Sequence, residues 1–263
     1  MDEILLTVDP LGIATITLNR PELHNAIDDG AADLLTAMLE TLVEEDNVRI
    51  VLIKGNGMSF SAGHDQEHMR DLSTASETEL QRQARRLIRM LATLDQLPKP
   101  TIACVQGPAF GIGAALVACC DIAIASSDAL FSFADVRMGA IPAVAAPYVI
   151  RAIGERNTRR YFVTGERFNA GKAKRLGLIH QDVDHDEFDG AVKSVVEQLL
   201  LNGPKAMGET KSLISDLAAL PAGGASTALT IERHARVRAS DEGREGLLAF
   251  LEHRKPNWVT DEH

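Results

Sequence analysis

The stretch "KPTIACVQGPAFGIGAALVACCDIAIAS", Lys99 to Ser126, constrains the fold of this chain more than any other. It reads as a short apolar strand ("TIACVQG"), a glycine-punctuated turn, an apolar helix ("GIGAALVACC") and a second strand ("DIAIAS"). Strands this short and this uniformly apolar are buried ones, bounded by their turn signals. The arrangement recurs: "VRIVLIKGNG" is a buried strand ending in a glycine turn, and it leads to an amphipathic helix over 78–97 that "PKP" stops. The recurrence is one of architecture and has no fixed sequence period. Upstream, "ILLTVDPLGIATITLNRP" alternates with Gly12 near its turn and predicts a hairpin. Asn25 to Glu45 places Ala31, Leu34, Leu35, Met38 and Leu42 at helical spacing. Helices are expected at 144–153, 156–164, 169–175 and 187–202. After "NGPKA" the chain is nearly all helical, broken by "PAGG" at 221–224. The pattern predicts an α/β core over 1–200 and a helical appendage over 205–263.

Composition narrows what such a core does. The 263 residues are 45% hydrophobic and 24% charged, enough apolar material for a real core. No apolar run approaches the roughly 20 residues of a membrane span, and "MDEILLTVDP" lacks the basic start of a secretory signal. A cytoplasmic address with no membrane partner is expected. The net charge is −10, and binding to nucleic acid depends on neutralising phosphates, so no nucleic-acid partner is expected. "RQARRLIR", Arg82 to Arg89, reads as a solvated helix face. Cys104, Cys119 and Cys120 have neither disulfide nor zinc spacing and read as small core residues.

Several catalytic signatures are absent. "GPAFGIG" is not the dinucleotide fingerprint, and "GERFNAGKA" is one residue too long for a phosphate loop, with Ala173 in place of a Ser or Thr. No G-x-S-x-G elbow gives Ser59 or Ser61 a claim to be a nucleophile. "HDQEH" only superficially resembles a zinc motif, so no metal site is expected at His64 and His68. What remains is two glycine turns, each after a buried strand. Gly63, beside Ser61 and Ala62, and the pair Gly111 and Gly113 leave main-chain amides free, the second at a helix start. Two such amides aimed at one point would stabilise a developing oxyanion. On the residues alone, the same glycines could simply permit close packing.

Taken together, these segments resemble the crotonase (enoyl-CoA hydratase/isomerase) superfamily over the length of the chain. "LNRPELHNAI" is similar to its N-terminal coenzyme A loop, "GNGMSFSAGHDQEHM" to its first oxyanion segment, and Lys99 to Pro142 to its central signature. "TGERFNAGKAKRLGLIHQDV" and "DEGREGLLAFLEHRKPNW" complete the order. The resemblance implies a crotonase (ClpP-like) spiral of ββα repeats with a C-terminal helical trimerisation region, giving a homotrimer or a dimer of trimers. It implies an acyl-CoA thioester as substrate and no further cofactor. By position, it implies that the amides of His64 and Ile112 are the oxyanion donors. Leu23, His24, Ala62, Asp65 and Gln66 would line coenzyme A, and Phe250 and His253 match C-terminal positions that touch it, in some members from an adjacent subunit.

The acids depart from the two-carboxylate pattern of the family. Ala115 stands at the first acidic position, and Asp135 stands at the second, shorter than glutamate by one methylene or about 1.5 Å. Asp135 is the expected acid–base group, placed to move a proton to or from the thioester enolate. "GAIPAVAAPYVIRAIGER" looks like single-acid, methylglutaconyl-CoA hydratase-like members, which implies hydration of a 2-enoyl-CoA with a branched or carboxylated acyl group. Arg137 and Arg151 are the candidate partners of such a carboxylate. Double-bond isomerisation by the same groups, or a weakly catalytic acyl-CoA-binding paralogue, are the alternatives. Because the donor at position 64 is the main chain, the imidazole is expected to be dispensable.

Overall fold

A computed structural model describes residues 2–221 and 223–259. The hairpin forms as the alternation predicts: β1 (Ile4–Val8) pairs antiparallel with β2 (Ile13–Leu18). Its turn is closed by the Asp9 carboxylate, which accepts from the Leu11 and Ile13 amides, both at 2.9 Å. The chain then crosses through α1 (Asp29–Glu44) to β3 (Ile50–Gly55). The helix begins later than the sequence suggests. His24 and Asn25 sit at positive φ (51° and 55°), and the Asp28 carboxylate caps the first turn through the Ala31 amide at 2.8 Å.

After β3 come α2 (Gln66–Leu72), which no periodicity foreshadows, and α3 (Glu77–Gln96). The α3 helix opens on a capping box between Ser76 and Glu79 and stops before "PKP". The next unit is β4 (Thr101–Val105), β5 (Ala109–Phe110) and α4 (Ile112–Cys119). A third follows as β6 (Ile122–Ser126), β7 (Leu130–Ser132) and α5 (Ala146–Thr164). The two helices expected at 144–153 and 156–164 are this one element, interrupted where Gly154 leaves helical geometry (φ 76°, ψ 155°).

Six strands form one sheet in the order β1-β2-β3-β4-β6-β9, all parallel beyond the hairpin, with β9 at Gln181–Val183. A second sheet joins β5, β7 and β8 (Phe168–Asn169). Each long strand therefore hands over, after a few residues, to a short strand in the second layer and then to a helix. The unit that starts at β3 reduces its short strand to one residue, Ser61, which bridges to Ala109 of β5. This is the expected spiral of ββα turns.

Both faces of the large sheet are covered, as a parallel sheet requires. On one side Ile50, Ile102, Cys104 and Ile124 meet Val196 and Leu200 of α7 (Phe188–Leu200), which follows the short α6 (Ala170–Leu176). On the other, α1, α3 and α4 enclose the larger core around Leu35, Leu39, Met90, Leu91 and Leu116. Cys104 and Cys119 are buried as small core residues, and burial pushes the Cys104 thiol up to about 12. Among the described residues no group of three or more ligands could hold a metal, and no helix is long and apolar enough to cross a membrane.

The last helices, α8 (Pro204–Ala219), α9 (Gly224–Ala239) and α10 (Asp241–Leu251), pack mainly on one another. Arg233 of α9 bonds Glu209 and Asp216 of α8 at 2.9 and 2.6 Å, and Glu242 of α10 caps the amides of Lys205 and Ala206. Lys211 ties α8 to the core through Asp121 at 2.8 Å. Of the expected break at 221–224, Ala222 lies outside the described residues. Arg49, at the entrance to β3, donates to the carbonyls of Leu200 (2.8 Å) and Trp258 (2.9 Å), stitching the sheet to the end of α7 and to the C-terminal tail. Charged donors to carbonyls contribute about 1.5–3 kcal/mol, so Arg49→Ala should lower unfolding stability by about that amount in a urea titration.

Candidate functional site

The site is assembled from three loops that the spiral stacks. The first runs from Arg20 to Asp28. Its Asn25 is buried and fully used: the side-chain amide donates to the carbonyls of Asn56 and Ser59 at 2.9 and 2.8 Å, and its oxygen accepts from the Arg20 amide. Arg20 in turn pairs with Asp28 (2.7 Å) and Asp65 (3.2 Å). The loop is thereby pinned to the second, Ser59 to Asp65. Ser61 is fully buried, donates to the Asn25 carbonyl at 2.8 Å and accepts from the Gly63 amide at 3.2 Å. Ser59 meets the His24 ring at 3.1 Å. Both serines hold the loop together, and neither is poised as a nucleophile.

The third loop, Gly107 to Gly113, is pressed against the second. The Phe110 amide donates to the Ser61 carbonyl at 2.9 Å, and the Ser61 amide donates to Pro108 at 3.1 Å. Gly63 has φ +92°, and a Cβ there would lie 2.7 Å from the Phe110 carbonyl oxygen. One on Gly113 would lie 2.7 Å from the Ser61 Cβ. Close packing and free amides, which the sequence left as rival readings of these glycines, turn out to be one arrangement. The Gly63 carbonyl accepts from Ile27 at 2.7 Å and the Gly111 amide donates to Ser132 at 2.8 Å, so both loops are anchored on either side of the turn. The next amides along, those of His64 and Ile112, have no acceptor among the described residues, and Ile112 is the first residue of α4. Helix geometry leaves that amide unpaired and at the positive end of the dipole.

His64, Gly111, Ile112 and Asp135 line one cavity of about 420 Å³. Its other walls are mostly apolar: Met69 and Leu72 from α2, Leu87 from α3, and Met138, Ile141 and Val144 from the segment before α5. Asp135 opens the single 3-10 turn Asp135–Met138 that follows β7, and its carbonyl receives the Ala140 amide at 3.1 Å. Its carboxylate has no partner among the described residues. Ala115 is 0% exposed on α4 and does not reach the cavity, so the first acidic position of two-carboxylate members is core here. The His64 ring is the other ionisable group on the wall. Burial holds its pKa below the ordinary histidine value, the charge of Asp135 opposes that shift, and His68 adds to it.

The remaining expected contacts are dispersed. Leu23, His24 and Ala62 lie along the outer loops and are at least partly exposed. Asp65 is only 6% exposed. Its carboxylate caps α2 through the Glu67 and His68 amides and pairs with Arg20. Its amide donates to the Ile27 carbonyl at 3.3 Å and its carbonyl accepts from the Met69 amide at 2.9 Å, so its polar groups are all engaged within the protein. The side chain of Gln66 lies outside the described residues. Phe250, 76% exposed on α10, and His253 just beyond it do not line the cavity of their own chain. Neither Arg137 nor Arg151 lines it: Arg151 pairs with Asp95, and Arg137 lies beside Gly165. Met69, Leu72 and Leu87 were not singled out from the sequence, although the helical spacing of Leu87 was visible.

The sequence profile of enoyl-CoA hydratase/isomerase matches residues 9–261. The chain belongs to the enoyl-CoA hydratase/isomerase family. A solved enoyl-CoA hydratase of Shewanella pealeana superposes with a TM-score of 0.94 at 40% identity, covering 98% of this chain and 96% of that one. The mevalonyl-coenzyme A hydratase of Aspergillus fumigatus is 31% identical, over 94% of this chain and 91% of its own. The 1,2-epoxyphenylacetyl-CoA isomerase of Escherichia coli is also 31% identical, over 98% and 99%. The family thus fixes an enzyme of the crotonase fold and spans both hydratases and isomerases. The contact between the two glycine loops yields a test that is independent of substrate. Gly63→Ala puts a side chain at positive φ against the Phe110 carbonyl, so it should cost about 1–3 kcal/mol in thermal or urea unfolding and lower turnover with it.

Proposed function

We propose that this enzyme adds water across the 2,3 double bond of an enoyl-CoA, or removes it in reverse. The observation that carries this reading is one free carboxylate, Asp135, sharing a cavity with two unpaired main-chain amides, those of His64 and Ile112. The thioester oxygen seats on the two amides, an oxyanion hole in which negative charge is stabilised without reorganisation. As the oxygen of water bonds to C3, the double-bond electrons move to the thioester oxygen and Asp135 takes the proton. Asp135 then returns that proton to C2, on the same face. The aspartate is short, so this reading has the substrate sit closer to the 3-10 turn than it would to a glutamate.

The acyl group is read as uncharged. Among the described residues that line the cavity, His64 and Asp135 are the only ionisable ones, so an acyl carboxylate would find no cation. The cavity wall therefore favours an uncharged 2-enoyl group, linear or branched, over the carboxylated one drawn from the methylglutaconyl-type resemblance. Leu23, His24, Ala62 and the main chain at Gln66 carry coenzyme A. Residues 1–200 hold this site, and 205–263 serve assembly into a trimer or a dimer of trimers. That assignment is supported by apolar side chains left in the open on the last helices, including Ile214, Ile231, Leu247, Leu248, Phe250 and Leu251. Phe250 and His253 would then reach coenzyme A on a neighbouring copy.

The isomerase reading uses the same three groups and has in its favour the trans-2-decenoyl-[acyl-carrier-protein] isomerase of Streptococcus mutans, 28% identical over 98% of each chain. The neutral polar side chains of Ser73 and Gln83 in the cavity wall, which give a water molecule a place to sit, favour hydration. With crotonyl-CoA the expected product is 3-hydroxybutyryl-CoA, and Asp135→Asn should lower its formation about 10²- to 10⁴-fold while coenzyme A binding persists. Equal turnover by the two proteins would overturn the assignment of Asp135. Sedimentation should show the mass of three or six chains.

A further inference from the structure

We propose that the His64 imidazole, and not only its amide, takes part in the reaction, holding the attacking water opposite Asp135 as a neutral hydrogen-bond acceptor. The proposal rests on the hydratase reading above and gives that reading its second ionisable group, beside the neutral Ser73 and Gln83. A two-carboxylate hydratase can grip water between its acids, but here Ala115 is core and offers nothing to the cavity. The wall supplies one other ionisable side chain, that of His64.

Three observations converge on the ring. It lines the same cavity as Asp135 and lies close enough to feel its charge. Among the described residues neither ring nitrogen has a hydrogen-bond partner, and neither is sealed from solvent. The main chain beneath it is fixed on both sides, by the Gly63 carbonyl accepting from Ile27 (2.7 Å) and by the Asp65 amide donating to the Ile27 carbonyl (3.3 Å). A side chain on so firm a base, with free nitrogens in a reaction cavity, is not structural glue. Burial disfavours its charged form, so one ring nitrogen keeps a lone pair to offer.

The step balances without another reagent. One hydrogen of the water bonds to the His64 nitrogen and stays on oxygen. The other passes to Asp135 as the C3–O bond forms and the double-bond pair moves into the enolate held by the two amides. Asp135 then delivers its proton to C2. One O–H bond and the C2=C3 π bond break, C3–O and C2–H bonds form, and His64 begins and ends neutral. Its contribution is to aim the oxygen at C3, which a single short carboxylate does poorly.

The test compares two reactions of the same protein. Hydration of crotonyl-CoA needs the water-holding ring. Exchange of the C2 protons of butyryl-CoA with deuterated solvent needs only Asp135 and the two amides. In His64→Ala the ratio of hydration to exchange should fall about 100-fold, and His64→Gln, whose amide oxygen can accept the same bond, should recover a large part of it. An unchanged ratio, whether both rates persist or both fall together, overturns the role, because a purely structural loop effect would move the two reactions alike. Wild-type protein that exchanges C2 but forms no 3-hydroxybutyryl-CoA overturns the hydratase reading itself, and the role of the ring with it.

Discussion

The close approach of two glycine turns organises everything else in this site. Gly63 lies where a single methyl would strike the Phe110 carbonyl, and Gly113 lies where one would strike Ser61. Nothing larger than hydrogen lets the first and second ββα units come this near. Because they do, the Ser61 bridge to Ala109 forms, and His64 and Ile112, residues of different units with unpaired amides, line one cavity. The surrounding polar contacts serve that approach. Asn25 and Arg20 hold the loop beneath it, and the Ile27 and Ser132 main chains fix its two flanks. Hydrogen-bond donors that stabilise charge must be placed before the charge appears. In the proposed reaction that placement comes from packing.

The parts legible in the sequence were those with enough length to carry a pattern. Strands β3, β4 and β6 show as apolar runs, α1 and α3 show by periodicity, and the interruption at Gly154 is marked by its glycine. The second sheet was invisible residue by residue, since β5 and β8 have two residues each and β7 three, too few for alternation to register. The late start of α1 was missed because two successive residues at positive φ, His24 and Asn25, are held there by tertiary bonds. The site followed the same rule. Asp135 and the two amides came through motif register, while the walls from Met69, Leu72 and Met138 exist only once α2 and the 3-10 turn fold over the cavity. Asp65 shows the limit of carrying contacts by position, since its carboxylate belongs to the α2 cap and to Arg20.

Within the enoyl-CoA hydratase/isomerase family, relatives named as hydratases and as isomerases share one frame, so the reaction is decided by the side chains of the site. This chain keeps the frame and thins the acids, with alanine sealed in the core at position 115 and an aspartate at 135. Besides Asp135, the polar side chains of the described wall are those of His64, Ser73 and Gln83, and of these only the imidazole is ionisable.

The most direct measurement of the central claim is the fate of solvent atoms in one reaction. Crotonyl-CoA incubated with the wild-type protein in deuterated water carrying heavy oxygen should yield 3-hydroxybutyryl-CoA with heavy oxygen at C3 and deuterium at C2, as read by mass spectrometry. Deuterium entering the acyl chain with no heavy oxygen at C3 would show that the two amides and Asp135 form an enolate but do not direct water to it, and would contradict the account.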